Sequence, residues 1–538
     1  MGKKRYEDKW DNILLSIATY GFVVIMIALF PLYYQNNYYN IVSAKTSFFK
    51  TCAIAFCLIA LCILILRFAI NLKKIKSSTF NRKAFLEQQK KNGLNLFGVL
   101  LFVAVIVSTI NSAHKSEAFL GNTERMLGSL FLGLCLLVYF IIAGYLKPTM
   151  HLVWLYLIVN LLVLGLADLN FFGIDLLGMD TNQTGFISTI GNSNFLANYD
   201  ALVLPIGMCL FYISETTFSK SIYSVFLTIG FCGAFASSAD SWILGIGSAY
   251  LLLLWFSMSS FEKLGKFCQL AGLFTLSSLL IKVGATLAIS FGLKTPHLPG
   301  LPQSYGYLLL RTELLIAEAI LLTVVYLLCR KLGSCLVETT NIENQKRLLN
   351  IRKILFGLLL SALLLATLLF GIANAFPQAA KNTPWLSAFT LTDTFGSGRG
   401  FIWKYTIRAW EDLSLKDKIF GVGLSNFVPF IYKDYAAELS QIFGSSARLI
   451  DAHNEFLQFL VTTGLLGAIG YFGMLISSIV KFGKMTKKQP LLLIGSVTAL
   501  SYLMQGLVNN PQTFTTPLLF IFFGVMESLY RKYKAQAS

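Results

Sequence analysis

The feature that most constrains this chain is a series of fourteen apolar runs, each long enough, or nearly so, to cross a bilayer as a helix. They lie at roughly 13–31, 48–70, 94–110, 126–146, 149–167, 195–213, 221–237, 242–258, 267–292, 307–329, 354–376, 454–480, 491–509 and 515–530. Water could not cover such a surface. Only 13% of the 538 residues are charged, against 55% hydrophobic, whereas soluble chains carry ~25% charge. The same balance excludes a disordered or collagen-like chain. The expectation is an all-α polytopic membrane protein with about 12–14 transmembrane helices. The first run ends in Phe30-Pro31-Leu32-Tyr33-Tyr34 rather than at small residues, so it reads as a span and not a cleaved signal. The nine cysteines form no CxxC pair and read as small buried hydrophobes, not as disulfides or zinc ligands.

A net charge of +18 would suggest nucleic acid in a soluble protein. Here its distribution matters more. Counting spans from Lys3, Lys4, Arg5 and Lys9, the basic residues gather on one side: Lys73 to Lys91, Arg330 to Lys353, Lys481 to Lys488, and Arg531 to Lys534. The short opposite loops are nearly bare, 168–194 holding no Lys or Arg, while the long segment 377–453 holds eight. Cytoplasmic loops carry such an excess. Both termini are therefore expected in the cytoplasm of a multi-pass membrane protein, with no nucleic-acid partner. Four regions follow: helices over 1–180, middle helices over 181–376, a long extracytoplasmic loop at 377–453, and C-terminal helices over 454–538.

Two charges fall inside spans, Lys282 in 267–292 and Glu318 in 307–329. Charges at bilayer depth pair or line a wet cavity, so the two are expected either to pair or to mark a substrate path. The 377–453 loop is too long to be a mere connector. Within it, 399–413 reads as an amphipathic interfacial helix, with Trp403, Ile407 and Trp410 on one side and Lys404, Arg408 and Asp412 on another. Residues 425–443 read as a second helix after a Gly421-Val-Gly423 turn.

The polar residues of the outer loops are the candidates for chemistry. None of the four histidines, His114, His151, His297 and His453, is spaced as a metal pair, and neither GxxxxGK[ST] nor GxSxG occurs. No metal and no cofactor is expected. One polar segment is Gly191-Asn192-Ser-Asn194-Phe-Leu-Ala-Asn198-Tyr199, read first as Asn turns and a helix cap. A second is Asp393-Thr-Phe-Gly396-Ser397-Gly398-Arg399, in which Ser397 is expected to cap a helix with Arg399 in its first turn. A bound anion would suit that cation and those free N–H groups. A third is Asp451-Ala-His453-Asn454-Glu455-Phe-Leu-Gln458, in which Asp451 is expected to cap the next span. The helix dipole would then keep His453 neutral. His453 reads equally as a capping polar residue or as a base.

Together these segments, with Trp403, Phe420-Gly-Val-Gly423-Leu-Ser-Asn426-Phe427 and Gly464-Leu-Leu-Gly467, resemble the O-antigen ligase and Wzy-type polymerase family over roughly 180–510. The resemblance implies a GT-C-like, metal-independent, inverting glycosyltransferase of the bacterial plasma membrane. Its donor is a glycan on a polyprenyl diphosphate, and its acceptor is a glycan, lipid or wall-polymer hydroxyl at the outer leaflet. By resemblance Arg399 is the family's loop arginine and His453 its essential histidine. One departure stands out. Where family members carry Ser-Arg-Gly near the outer end of a middle span, this chain reads Ser238-Ala239-Asp240. Arg408 and Arg311 are candidates to replace that arginine.

The residue chemistry agrees with that implication. Glycosyl transfer passes through an oxocarbenium-like state. A diphosphate leaving group needs charge stabilisation, and a sugar hydroxyl needs a base. His453 and Arg399 are the catalytic candidates. Arg408, Arg311, Asn192, Asn194, Asp393 and Asp451 are candidates to bind substrate or orient the imidazole. Polymerase and ligase differ in acceptor, and both remain open at this point. So do two other classes, a lipid-linked-oligosaccharide flippase or secondary transporter and a non-catalytic envelope partner. The first would place its polar motifs at mid-membrane rather than in outer loops.

Overall fold

A computed structural model describes residues 10–75, 93–179, 186–294, 302, 304–333, 338–444 and 448–537. The basic residues of 76–92 and Cys335 lie outside the described residues. Apart from one isolated bridge, Ile187 to Gly191, the regular structure described is helical. The N-terminal part holds α1 (Trp10–Ala28), α2 (Ile41–Ile75), α3 (Gly93–Asn111), the short α4 (Lys115–Leu120), α5 (Ser129–Tyr145) and α6 (Met150–Phe171). Next come α7 (Ser193–Ile213), α8 (Thr217–Ala236), α9 (Ser241–Ser257), α10 (Phe261–Ser290), α11 (Thr312–Gly333) and α12 (Glu338–Ala375). The long loop contains α13 (Pro377–Lys381), α14 (Pro384–Ser387), α15 (Phe395–Glu411), α16 (Leu415–Phe420) and α17 (Phe427–Phe443). The chain closes with α18 (Glu455–Met485), α19 (Leu492–Gly506) and α20 (Thr516–Ala537).

Each of the fourteen apolar runs thus has its helix. Ten are long and apolar enough by themselves to cross a membrane, while α5, α9 and α19 are shorter apolar helices. The run expected at 307–329 divides at Arg311, because residues Tyr305–Leu310 form a separate 3-10 turn. The most enclosed helix is α7. Pro205 within it cannot donate to the Ala201 carbonyl, and Ser501 Oγ of α19 donates there instead, at 2.8 Å. The end of α1 is closed by a buried cation: Lys45 Nζ donates to the Phe30 and Pro31 carbonyls at 2.8 and 2.9 Å. At the opposite end of the bundle, the buried Glu527 is held by Lys481 and Arg531.

The expected Lys282–Glu318 pair does not form. Lys282 Nζ donates to the Leu310 carbonyl at 2.7 Å and to Thr312 Oγ1 at 2.6 Å, while Glu318 bonds Thr275. The reason is helix length. The 30 residues of α10 span about 45 Å, which carries Lys282 to the level of the first residue of α11. Glu318 lies six residues further down α11, about 9 Å deeper.

Candidate functional site

The polar segments singled out in the sequence converge where α7 and α18 begin and α19 ends. The first step is the start of α18. Its cap is Asn454, whose Oδ1 accepts from the Leu457 N–H at 3.0 Å, not Asp451 as the spacing suggested. His453 therefore stands just outside the helix, at φ +47°, and not in its first turn. Asp451 folds back under this turn. Its Oδ1 accepts the His453 backbone N–H at 3.0 Å and lies 3.4 Å from His453 Nδ1.

Asp451 is only 3% exposed, so its charge needs partners. Arg125 supplies them, with Nε at 2.9 Å and Nη2 at 2.7 Å from Asp451 Oδ2, and Asn510 Nδ2 adds a bond of 2.8 Å. Asn122 Oδ1 receives the Arg125 backbone N–H at 2.8 Å and so shapes the Arg125 turn. The guanidinium also lies over the Phe195 ring at 5.5 Å. Burial would raise the Asp451 carboxyl, but the charges of Arg125 and His453 and the hydrogen bonds hold it below the usual range. For His453, burial acts to lower the imidazole, the Asp451 charge opposes this, and Arg399 and Arg125 add to the lowering. The net shift is downward, which favours a neutral, basic ring at pH 7. The expected direction holds, but its cause is burial and two arginines, not a helix dipole.

Arg399 reaches the site from α15. Ser397 does not cap that helix. Gly396, Ser397 and Gly398 have φ of 57°, 60° and 91°, a left-handed turn that precedes the right-handed helix. Glycine at two of the three positions removes the steric cost of that hand. The turn lets Arg399 Nη1 donate back to the Gly396 carbonyl at 2.9 Å, while Nη2 lies 3.5 Å from Asn194 Oδ1. Its Nε is buried without a partner. Burial lowers the Arg399 pKa, and the charges of Asp451 and Asp240 oppose this. Trp403, one turn on, donates Nε1–H to the Ala452 carbonyl at 3.1 Å, tying α15 to the residue before His453.

Asn192 is the cap the sequence suggested: its Oδ1 accepts the Asn194 N–H at 2.8 Å at the start of α7. The Asn194 carbonyl accepts from Asn509 Nδ2 at 2.9 Å, and Asn454 Nδ2 donates to the Leu507 carbonyl at 2.8 Å. The α19–α20 connection is thereby stitched to both. The Gly421-Val-Gly423 turn docks on a break in α18 at Gly464, where φ is +67°. Carbonyls released near the break take new donors: Val422 N bonds Val461 O and Gly423 N bonds Thr462 O, each at 3.0 Å. A Cβ at Gly421 would stand 2.4 Å from the Thr462 oxygen, so only glycine fits.

Three candidates are elsewhere. Asp393 is exposed and 3.5 Å from Lys404. Arg408 is exposed over the Tyr405 ring, nine residues and about 13 Å along α15 from Arg399. Arg311 is exposed after the Tyr305–Leu310 turn. Asp240, in the stretch that lacks the family arginine, accepts from Ser304 Oγ at 2.5 Å and from the Gly306 N–H at 3.0 Å. Arg125 and Asn510 were missed by sequence reasoning. The available signal was a basic residue in a short loop on the side otherwise poor in them.

Residues 309–472 match a family model described as O-Antigen ligase. The interval contains Arg399, Asp451 and His453; Arg125, Asn194 and Asn510 fall outside it. No curated protein matches the chain. The chain is a multi-pass helical membrane protein that is similar to the O-antigen ligase family over 309–472.

Proposed function

We propose that this protein transfers a glycan from a polyprenyl diphosphate to an acceptor sugar hydroxyl, without a metal and with inversion, on the outer side of the plasma membrane. The observation that carries this reading is that the Arg399 helix, 54 residues before His453 in sequence, is tied by Trp403 to the carbonyl of Ala452, so that the charge of Arg399 acts on the imidazole. Arg399 is a buried cation with an unpartnered Nε and suits the growing charge of a departing diphosphate. His453, lowered by burial and by two arginines, suits a base that accepts a hydroxyl proton near neutral pH. With Nδ1 buried 3.4 Å from Asp451 Oδ1 and without a hydrogen bond, Nε2 is left for the acceptor. The Arg125–Asp451 pair acts from behind, Asp451 Oδ1 fixing the His453 turn through its backbone N–H.

The donor diphosphate leaves from one face of the anomeric carbon while the hydroxyl attacks from the other. The acceptor proton passes to His453 and the C–O bond to the diphosphate breaks. Ligase and polymerase differ only in what presents the hydroxyl. The test is reconstitution of purified protein with a polyprenyl-diphosphate glycan and candidate acceptors. New conjugate or longer glycan is expected. Transbilayer movement of the donor without product would overturn the reading in favour of a flippase.

A further inference from the structure

A second group of ionisable residues lies where α6, α7 and α8 pack, in a part of the bundle the proposed transfer does not use. Asp200, in α7, is 0% exposed, and neither of its carboxylate oxygens has a hydrogen-bond partner. Asp168, three residues from the end of α6, buries its Oδ1, also without a partner. The two carboxyls act on each other's charge, and neither forms an ion pair with a described Lys or Arg. Facing them are Tyr199 beside Asp200 and Cys232 of α8. Both of those are engaged elsewhere, Tyr199 with Asn160 Oδ1 at 2.5 Å and Cys232 with the Ser277 carbonyl at 3.6 Å. The third wall is Gly233 of α8. A Cβ there would only just touch its neighbours, 3.6 Å from Leu164 Cδ2 and from the Leu164 carbonyl oxygen and 3.7 Å from Asp168 Oδ1, so the space beside Asp168 is bounded by one apolar and two oxygen atoms.

Two carboxylates without a counter-charge cannot stay ionised inside a helix bundle. Protonating both removes the charge but leaves hydroxyl and carbonyl groups unpartnered, which is itself costly. A small cation answers both needs, and an all-oxygen donor set selects a hard one. A divalent ion would demand six or more oxygens in a fixed arrangement, more than two side chains and a carbonyl provide. We propose that Asp168 and Asp200 bind one alkali cation of sodium size, with one proton retained by the pair. The ion would join α6 to α7 about 9 Å along α7 from Asn194, the residue that approaches Arg399.

The test uses the full-length protein in nanodiscs, unfolded thermally while sodium chloride replaces choline chloride at constant ionic strength. A saturable rise in Tm with sodium is expected, absent in Asp168→Asn and Asp200→Asn. Binding of radioactive sodium at about one ion per chain is the second measurement, and it stands even if neither variant folds. A Tm indifferent to sodium but raised by acid would mean a proton alone and would overturn the proposal. So would a sodium effect that survives in both variants, or no measurable sodium binding to the wild-type chain.

Discussion

Replacing Arg125 with Gln separates the chemistry assigned to His453 from the architecture around it. Arg125 makes two contacts of 2.9 and 2.7 Å to Asp451 Oδ2, and Asp451 is 3% exposed. Stripping one partner from a buried ion pair costs ~3–5 kcal/mol. Gln can restore one hydrogen bond, and Asn510 and the His453 N–H remain on the carboxylate, so a loss near the bottom of that range is expected. The electrostatic effect on His453 has a definite sign. Arg125 lowers the imidazole pKa and neutralises Asp451, which raises it. Removing Arg125 therefore raises the His453 pKa by both routes. An opposite charge at ~4–6 Å is worth ~1–3 units, and Asp451 Oδ1 is 3.4 Å from Nδ1. Asp451 becomes easier to protonate without Arg125, so the lower end, ~1 unit, is the expected shift. A base works unprotonated, so activity is lost as pH falls through its pKa. The acid limb of kcat/KM should move to higher pH, making the loss a few-fold greater at pH 6 than at pH 8 and about tenfold only below both pKa values. Arg125→Lys keeps the charge and should leave the limb nearly in place. The assay is donor turnover by purified protein across pH 5.5–8.5, with melting curves to show that the variant is folded. A folded Arg125→Gln protein whose limb has not moved would refute the argument.

The assignment of roles predicts that His453→Ala lowers turnover ~10²–10⁴-fold with little change in donor affinity; polysaccharide made at full yield by a deletion strain carrying that variant at normal level would remove His453 from the chemistry. Arg399→Lys keeps charge but loses the planar fork, and should impair transfer far more than Arg408→Lys, since Arg408 is exposed and distant; equal effects would point to a diffuse charge requirement. Gly421→Ala should destabilise the protein by more than the ~1–2 kcal/mol of its left-handed backbone alone, because the new Cβ meets the Thr462 oxygen at 2.4 Å; unchanged melting would contradict that packing. In a cysteine-free background, Lys433→Cys should react with an impermeant thiol reagent in intact cells and Lys487→Cys should not; the reverse pattern would invert the proposed orientation.

The helices were legible because nothing but apolar length decides a span, and α1 to α3 or α18 follow from composition over ~20 residues. The turn chemistry was less so. Asp451 and Asn454 are both good caps, and spacing alone does not decide between them. The structure gives the cap to Asn454 because Asp451 is occupied by Arg125 and Asn510. Ser397 followed the same rule and lost to the Gly396–Gly398 left-handed turn, which a scan for caps does not represent. Arg125 escaped notice because its partner is 326 residues away, and no local pattern encodes a contact of that range. Lys282 and Glu318 show the converse failure. Both were placed at mid-span by counting residues, and the length of α10 sets Lys282 level with the start of α11, above Glu318.

What lies beneath the site explains why such scattered residues can hold one geometry. Glu455, two residues after His453 and the first of α18, is 1% exposed and accepts the Tyr471 and Tyr502 hydroxyls at 2.7 and 3.0 Å. Beside it, Asn198 Nδ2 donates to Gln505 Oε1 at 2.8 Å, Thr515 Oγ1 bonds Asn198 Oδ1, and Gln505 reaches Ser241 Oγ at 3.4 Å. These bonds connect α7, α9, α18 and α19, together with the start of α20. A buried polar network rigidifies when its members find partners, and an unpaired member is expensive. Asn194 is carried on the first turn of a helix held in this way and His453 on the turn just before another, while Arg399 arrives on a loop helix tied down through Trp403. The division suits transfer to a bulky acceptor. The base stands on the rigid bundle, where a 1 Å error would be costly, and the diphosphate-binding arginine stands on the element best able to adjust to an incoming lipid-linked chain. On this reading, cutting the Trp403–Ala452 tether with Trp403→Phe removes one hydrogen bond and keeps the ring. It should raise the KM for the donor and leave the pH limb set by His453 unmoved. A shifted limb with unchanged KM would place the flexibility on the wrong partner.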